Sequence, residues 1–380
     1  MNRNVPNTTL SLLVSLIAAC CIAASSSVAA TPDPPLLKAK QEAEGRGYIF
    51  PTTRDEIMAG AKKEGGLRLL GSLSPETYKV LTAAFKKHYP FIEVYAEEFK
   101  STDAHQPFLL ELRAGRARNW DVFVIAPDFY AEYVPHTKRF DLLGMAMRGV
   151  LAIPPAMIDP KNRTIVSIAS SIFGIAYNKK LIAEEKLPKN WEEFVKPELK
   201  GKKFMVDLRP LGFAALAAGL GEAWAADYAR KIAAQDPVWF RGQSRSFATL
   251  VAGEQTLLHL AYYHSCVRAS KKDPTGSLEC KVIEPVPARI AEFAAVSHYA
   301  PHPNASLLWL EFEVSPEAQN IIDIYEPLNS SIYAPESALA KLTQGKKLSV
   351  NGWETLHNTS KWEQMAIKEF GFPKVEETGK

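Results

Sequence analysis

Hydrophobic and polar positions along this chain alternate between two periods in a regular order. Leu67, Leu69 and Leu70 form a short apolar run of strand character, and Ser74-Pro75 then supplies an N-cap and a first-turn proline for a helix reaching His88. Ile92, Val94 and Ala96 alternate as a second strand. A helix from about His105 to Ala114 carries Phe108, Leu109 and Leu112 on one side, and Val122-Phe-Val-Ile125 is a third strand of fully buried character. The sum is a βαβαβ unit. Such units build parallel sheets, which hold ligands outside the carboxyl ends of their strands. Binding is therefore expected at the loops Gly71–Ser74, Lys100–Ala104 and Ala126–Tyr130.

Beyond the proline-rich passage from Ile153 to Pro160, two extended segments follow, Ile165–Ala169 and Ile172–Tyr177, separated by Ser170-Ser171. A second α/β region occupies roughly 179–280, with a strand at Phe204–Val206, an alanine-rich helical stretch over 211–234 and a buried strand at Leu257–Leu260. Helices at about Asn304–Glu313 and from Ser315-Pro316 complete the first region, and 335–380 is mixed helix and coil. The chain passes between the two regions at Ile165–Tyr177 and at Lys281–Pro287. One lobe is thus inserted into another: 55–165 with 285–380 as lobe I, and 166–284 as lobe II.

The N-terminus has its own pattern. A short polar start with Arg3 precedes an apolar run from Leu10 to Ala19, and Ser26-Ser27-Val28-Ala29-Ala30 suits a signal peptidase, so residues 1–30 are expected to be an export signal. Ile17-Ala18-Ala19-Cys20 also resembles a lipoprotein signal, in which Cys20 would be lipidated and the chain tethered to a membrane. Either way the body works outside the cytoplasm. Residues 31–54, opening with Thr31-Pro-Asp-Pro-Pro, form a polar leader expected to pack little. In an oxidising compartment Cys266 and Cys280 are expected to bridge, closing a loop of about 15 residues worth on the order of 3 kcal/mol; two unpaired buried thiols are the alternative.

Composition narrows the function. A chain of 380 residues suggests two domains, and 47% hydrophobic with 23% charged residues is ordinary for a globular protein. The net charge of +3 is dispersed in mixed-sign stretches, which gives no footing for nucleic acid. No run after the signal approaches the roughly 18 apolar residues of a spanning helix. Gly-x-Ser-x-Gly, His-Glu-x-x-His and Gly-x-x-x-x-Gly-Lys are all absent, so no enzyme is indicated.

Several segments carry a resemblance: Ala61-Lys-Lys-Glu-Gly, Ala84-Phe-Lys-Lys-His-Tyr-Pro90, Glu111-Leu-Arg-Ala-Gly115 followed by Trp120-Asp-Val-Phe, and Phe173-Gly-Ile-Ala-Tyr-Asn-Lys179. Trp191-Glu-Glu-Phe, Leu199-Lys-Gly-Lys, Leu250-Val-Ala-Gly-Glu254 and Ala300-Pro-His-Pro-Asn-Ala305 ahead of Ser315-Pro-Glu-Ala-Gln319 continue it. In order and spacing, over about residues 55–330, the chain resembles the type II periplasmic solute-binding proteins of ABC transporters, in the group that binds ferric iron, thiamine, polyamines and phosphonates. The resemblance implies an α/β fold of two lobes with mixed sheets, joined by two crossing strands and closing over a solute. It also implies a periplasmic monomer that docks on a membrane permease and carries no cofactor, Fe³⁺ being cargo. A sensory ligand-binding module shares the same fold.

Tyr262-Tyr263-His264 stands where ferric-binding members carry paired tyrosines, which marks Tyr262 and Tyr263 as metal ligands of Fe³⁺ and His264 as a neighbour in the site. Hard phenolate oxygens suit that cation. Adjacent strand residues point to opposite faces, so both rings reach one ion only if the strand has ended there. Stacking on an organic solute, or plain packing, fits the pair as well. The first loop, Gly71-Ser-Leu-Ser, lacks the His, Tyr or Glu that iron binders commonly add, which leaves Asp103, His105 or Asp128 to substitute. Ser72 and Ser74 offer hydroxyls at a helix N-terminus, although Ser74 serves equally as a cap. Ser171 is placed to hydrogen-bond solute where the chain enters lobe II. Arg209 is placed to grip a carboxylate or phosphonate, or to pair with Asp207.

Overall fold

The computed structural model describes residues 34–99 and 102–371; the expected export signal and Cys20 lie outside them. The predicted βαβαβ unit forms. Strands β1 (Gly66–Gly71), β2 (Glu93–Glu98) and β3 (Val122–Ile125) flank helix α1 (Pro75–His88) and the helix His105–Arg113, and β1 pairs in parallel with both neighbours. Ser74 caps α1 with its side chain, and Pro75 occupies the first turn, where its missing N–H leaves no bond unmade.

The leader packs more than its polarity suggested. Pro34–Gly45 is helical, with Leu36, Ala39 and Ala43 spaced along one face against the first core, which Phe50 also joins.

β4 (Ile165–Asn178) is a single strand of 14 residues rather than two segments broken at Ser170-Ser171. The serines stay in register with β9: Ser170 is buried, its Oγ accepting from the backbone of Ile332 at 3.2 Å, and Ser171 pairs through its backbone with Arg289. Ile165–Ile172 of β4 pairs antiparallel with β9 (Val286–Val296), whereas Phe173–Asn178 pairs with β7 (Leu257–Tyr262) and β8 (Leu278–Lys281). The second half adds β5 (Met205–Asp207) and β6 (Val238–Phe240), parallel to each other, with β5 also parallel to β7. A last strand, β10 (Leu348–Asn351), runs parallel to β9. The full order is β2-β1-β3-β9-β4-β7-β5-β6, with β8 on β4 and β10 on β9. Ten strands thus form two sheets that share β4, and the pattern of apolar residues had shown neither β6 nor β8 to β10.

Each half has its own core. In the first, Phe85 packs edge-on against Trp309 and Phe312 at 5.3 and 5.4 Å. In the second, Trp191, Phe194, Phe204 and Phe213 surround the helices α2 (Leu211–Leu220) and α3 (Glu222–Ala234). These two come from the alanine-rich stretch and are separated by Gly221, whose φ of 95° suits glycine alone. Each buried aromatic is worth about 2–3 kcal/mol. A disulfide joins Cys266 on α4 (Tyr263–Lys272) to Cys280 on β8, with Cα atoms 6.1 Å apart. The last helix, α5 (Thr359–Glu369), lies against α2 and α3, so the segment 285–380 does not belong wholly to the first half as its sequence suggested. The driving contacts are Ala366 and Phe370 in the second core. No helix among the described residues is long and apolar enough to cross a membrane.

His259, on β7, is fully buried among the second core's aromatics, with Nε2 2.9 Å from the Tyr228 hydroxyl and Nδ1 unpartnered. Burial lowers its pKa from 6.5 to about 3. Between those two values the unfolded chain binds a proton that the folded chain refuses, so stability falls as pH drops from about 6.5 toward 3, by at most ~1.4 kcal/mol per pH unit. Urea denaturation of wild type and His259→Gln across this window is expected to show a shallower pH slope in the variant. An identical slope would rule His259 out as the source.

Candidate functional site

The carboxyl ends of the parallel strands open on a cavity of about 380 Å³ between the two halves. Ser72 follows β1, Phe99 follows β2 and Ala126–Asp128 follows β3; Ser171 comes from β4, Tyr262 from the end of β7, and Arg289 and Glu292 from β9. This is the placement that strand polarity dictates for an open sheet. Tyr262 also lines a neighbouring cavity of about 570 Å³ in the second half, with Arg209, Gln243, Arg245 and His264. A groove of about 410 Å³ lies between α1 and edge strand β2 and shares no lining residue with these two cavities.

Local backbone geometry aims Tyr262 at the cleft. The pairing of β4 with β7 slips between Gly174 and Ala176, and Leu260 takes a φ of 49°, so the strand bulges just before the tyrosines. Tyr262 ends β7, its backbone N–H donating to Gln243 Oε1 at 3.2 Å and its ring packing 4.7 Å from Phe173. Burial pushes its phenol pKa up, and the positive charges of Arg289 and Arg209 oppose that shift. Tyr263 does not join it. It packs against the small cluster that contains Ile172, Val286 and Ala288, and it lines neither cavity. Gly174 makes room on that side, since a Cβ there would stand 2.5 Å from the Lys281 carbonyl and 3.1 Å from the Tyr263 ring. The two phenols therefore do not face one another across a single point in this geometry.

The other candidates divide. Ser72 donates to the Glu292 carboxylate at the cavity wall. Ser171 lines the cavity as the register partner of Arg289. Asp128 lines it beside His105, whose Nδ1 lies 2.7 Å from the Tyr133 hydroxyl and whose pKa burial lowers to about 4 against the pull of Asp128. His264 lines the second cavity; burial, then Arg268, lowers its pKa to about 4. Arg209 also lines it but is held by Asp207 at 3.1 Å. Ser74 and Asp103 line neither cavity. Ser74 caps α1, and its backbone N–H donates to Glu326 Oε1 at 2.8 Å, which Thr77 Oγ1 also contacts at 2.9 Å. Asp103 is exposed on a short turn.

Arg289 and Glu292 escaped the sequence reading because β9 itself did. Two charged residues within an otherwise largely apolar strand were the available signal, since such charges are seldom buried without a purpose. In regular β structure residues 289 and 292 would face opposite sides. Glu292 takes a φ of 44°, and both line the same cavity. Burial raises the Glu292 pKa, the Ser72 hydrogen bond lowers it, Glu326 raises it and Arg289 lowers it. Among the described residues the Arg289 guanidinium has neither a hydrogen bond nor an ion pair. Nor do three or more His, Cys, Asp or Glu side chains among them gather in a geometry that could hold a metal ion.

Residues 118–359, well over half of the chain, match the family of bacterial extracellular solute-binding proteins. The chain belongs to that family. This solute-binding protein is therefore a receptor for a small ligand rather than an enzyme. No curated protein sequence matches it. Its fold is that of two-lobed periplasmic binding proteins. The Trichodesmium protein IdiA (FutA) in complex with iron and citrate ligands superposes with a TM-score of 0.63 at 17% identity, covering 81% of this chain and 100% of the other. A ferric binding protein from Bordetella gives 0.63 at 17% identity over 80% and 98% of the two chains. The substrate binding protein of an ABC transporter from Agrobacterium tumefaciens gives 0.56 at 17% identity over 82% and 96%. At these identities the likeness establishes the fold.

Ser72→Ala removes a donor to the half-buried Glu292 carboxylate and is expected to destabilise the solute-binding protein by about 1–3 kcal/mol in urea melts. Adding Glu292→Gln should recover part of the loss, because an amide carries no charge to desolvate. A double variant no more stable than Ser72→Ala would contradict this account of the pair.

Proposed function

We propose that this protein is the receptor of an ABC importer and captures ferric iron together with a small carboxylate anion in the cavity between its lobes. The observation that carries the proposal is the pairing, in one cavity at the strand ends, of the Tyr262 hydroxyl with an unpartnered Arg289. Tyr262 and Asp128 supply hard oxygen donors for the metal; Arg289 supplies the charge for the anion. The metal's remaining positions fall to the anion, which agrees with the absence of a protein cluster of three ionisable ligands among the described residues. A solved neighbour of the same fold binds iron and citrate together.

Binding would favour closure because the anion rests on β9 while the metal meets Tyr262 of the second half, so ligand contacts both lobes only when they approach. The bend is assigned to β4 between Ile172 and Phe173, where its partners change. We take lobe I as 55–165 with the returning segment from 285, lobe II as 166–284, and α5 as lobe II's by its packing. Delivery to a membrane permease, a periplasmic location after removal of residues 1–30 and a monomeric state complete the proposal, with anchoring through Cys20 as the alternative to release.

A second reading has its own support. Only one of the two tyrosines lines the cleft, and Arg289 alone suits an organic anion such as a phosphonate or carboxylate. The two readings separate by colour. Ferric citrate added to purified protein is expected to give a tyrosinate-to-iron band in the visible range, lost in Tyr262→Phe and kept in Tyr263→Phe. Saturation at 100 times the dissociation constant should stabilise the fold by about 2.7 kcal/mol. Citrate or a phosphonate raising the melting temperature with no band from ferric citrate would favour the organic anion instead.

A further inference from the structure

The cavity of about 570 Å³ in the second half is lined by two arginines, Arg209 and Arg245, and among the described residues by no carboxylate. It lies at the carboxyl ends of the parallel neighbours β5 and β7, which bring Arg209 and Tyr262 to it together. Arg209 is held in place from behind. Its Nε and Nη2 donate to the two carboxylate oxygens of Asp207 at 3.4 and 3.1 Å, Gln243 Nε2 donates to Asp207 Oδ2 at 3.0 Å, and Gln243 Oε1 accepts from the Tyr262 backbone at 3.2 Å. Asp207 and Gln243 are both buried. A chain of four residues thus fixes Arg209 relative to Tyr262, and a guanidinium gripped on two nitrogens keeps N–H groups on the third.

Arg245 supplies the charge that this pair lacks. Arg209 and Asp207 are neutral as a unit, whereas the exposed Arg245 guanidinium lies 5.8 Å from the Phe240 ring and has neither a hydrogen bond nor an ion pair among the described residues. His264, with its pKa lowered to about 4, is neutral at pH 7 and neither adds to that charge nor cancels it. The cavity therefore carries one uncompensated positive charge. Tyr262 lines both this cavity and the main one, where Arg289 is likewise unpartnered. Two free guanidinium groups, one on each lobe, flank the same phenol.

We propose that the second cavity seats a second anionic group of the cargo, held by Arg245 and Arg209, while the first lies on Arg289. The inference rests on the cleft being the solute site, and it narrows the ligand: the anion is a polyanion with separated charged groups, a di- or tricarboxylate, and not a monocarboxylate. The reason is one of counting. A monoanion leaves one of the two cations without a counterion, whereas two carboxylates on one frame pair with both, the second being held near its arginine once the first is bound. Such an anion also spans the lobes, so its affinity is highest when they have closed.

Calorimetric titration of the full mature chain with ferric citrate and with citrate alone tests this, using wild type, Arg245→Gln, Arg245→Lys and Arg289→Met. One ligand per chain is expected, weakened about tenfold by Arg245→Gln and partly recovered in Arg245→Lys. The melting temperature of the ligand-free protein should not move, since Arg245 is exposed, and the visible band assigned to Tyr262 should persist at saturation. If Arg245→Gln binds both probes as wild type does while Arg289→Met loses them, the cleft reading stands and this inference falls. Two ligands per chain, one abolished by each variant, would make the cavities separate sites and overturn it as well. Citrate bound without iron, and weakened by both variants, upholds the inference and removes the metal from the function proposed above. A wild type that binds neither probe removes the cleft reading and the inference with it.

Discussion

A single strand exchanging its hydrogen-bonding partners midway is the constraint on which this molecule depends. Backbone amides and carbonyls must be paired when buried, and β4 meets that demand with β9 over its first part and with β7 and β8 over its second. Neither half can therefore be lifted away without breaking a ladder, and the exchange is the place to which we assigned the bend between them. The cavity lies at the same point. Ser171 is next to the last residue paired with β9, and Phe173, the first paired with β7, packs beneath Tyr262. The bend proposed above and the candidate ligand site consequently fall at one place in the fold.

Two of the seven non-glycine residues with positive φ among the described residues also lie there. Leu260 and Glu292 both hold positive φ inside strands, a conformation that is unfavourable for residues with a Cβ and persists only where the surroundings impose it. Each re-aims a side chain: the bulge at Leu260 precedes Tyr262, and the turn at Glu292 puts its carboxylate in the same cavity as Arg289. The strain thus has a structural product, a wall on which an acid, a guanidinium and a phenol meet although regular strands would have dispersed them.

Much of this architecture was legible in the sequence. The first three strands, the cap at Ser74 and the inserted second region followed from periodicity and from Ser-Pro signals, because those segments are held by local chemistry. β9 was not legible. Its alanines and its internal Arg289 and Glu292 break the apolar run that marks a buried strand, and only the long-range ladder with β4 makes it one. Of the site, Ser72 and Asp128 were named from the loops after strands, Ser171 from the passage into the second lobe and Tyr262 from the family resemblance, and all four line the main cavity. Tyr263 illustrates what spacing cannot convey: the cluster it packs against is built from Ile172 on β4 and Val286 on β9, which are far apart in sequence.

The carboxylate of Glu326 sits at the opening turn of α1, taking donors from Ser74 and Thr77. A helix start of that kind is the usual berth for a visiting anion, and here a tenant from the same chain already fills it. Under the function proposed above, one of the first lobe's doors to negatively charged cargo is closed by Glu326 and Arg289 is the other. Exchanging cargo over evolutionary time would then require little remodelling of the scaffold: evicting that resident side chain would vacate a second anion seat on the first lobe.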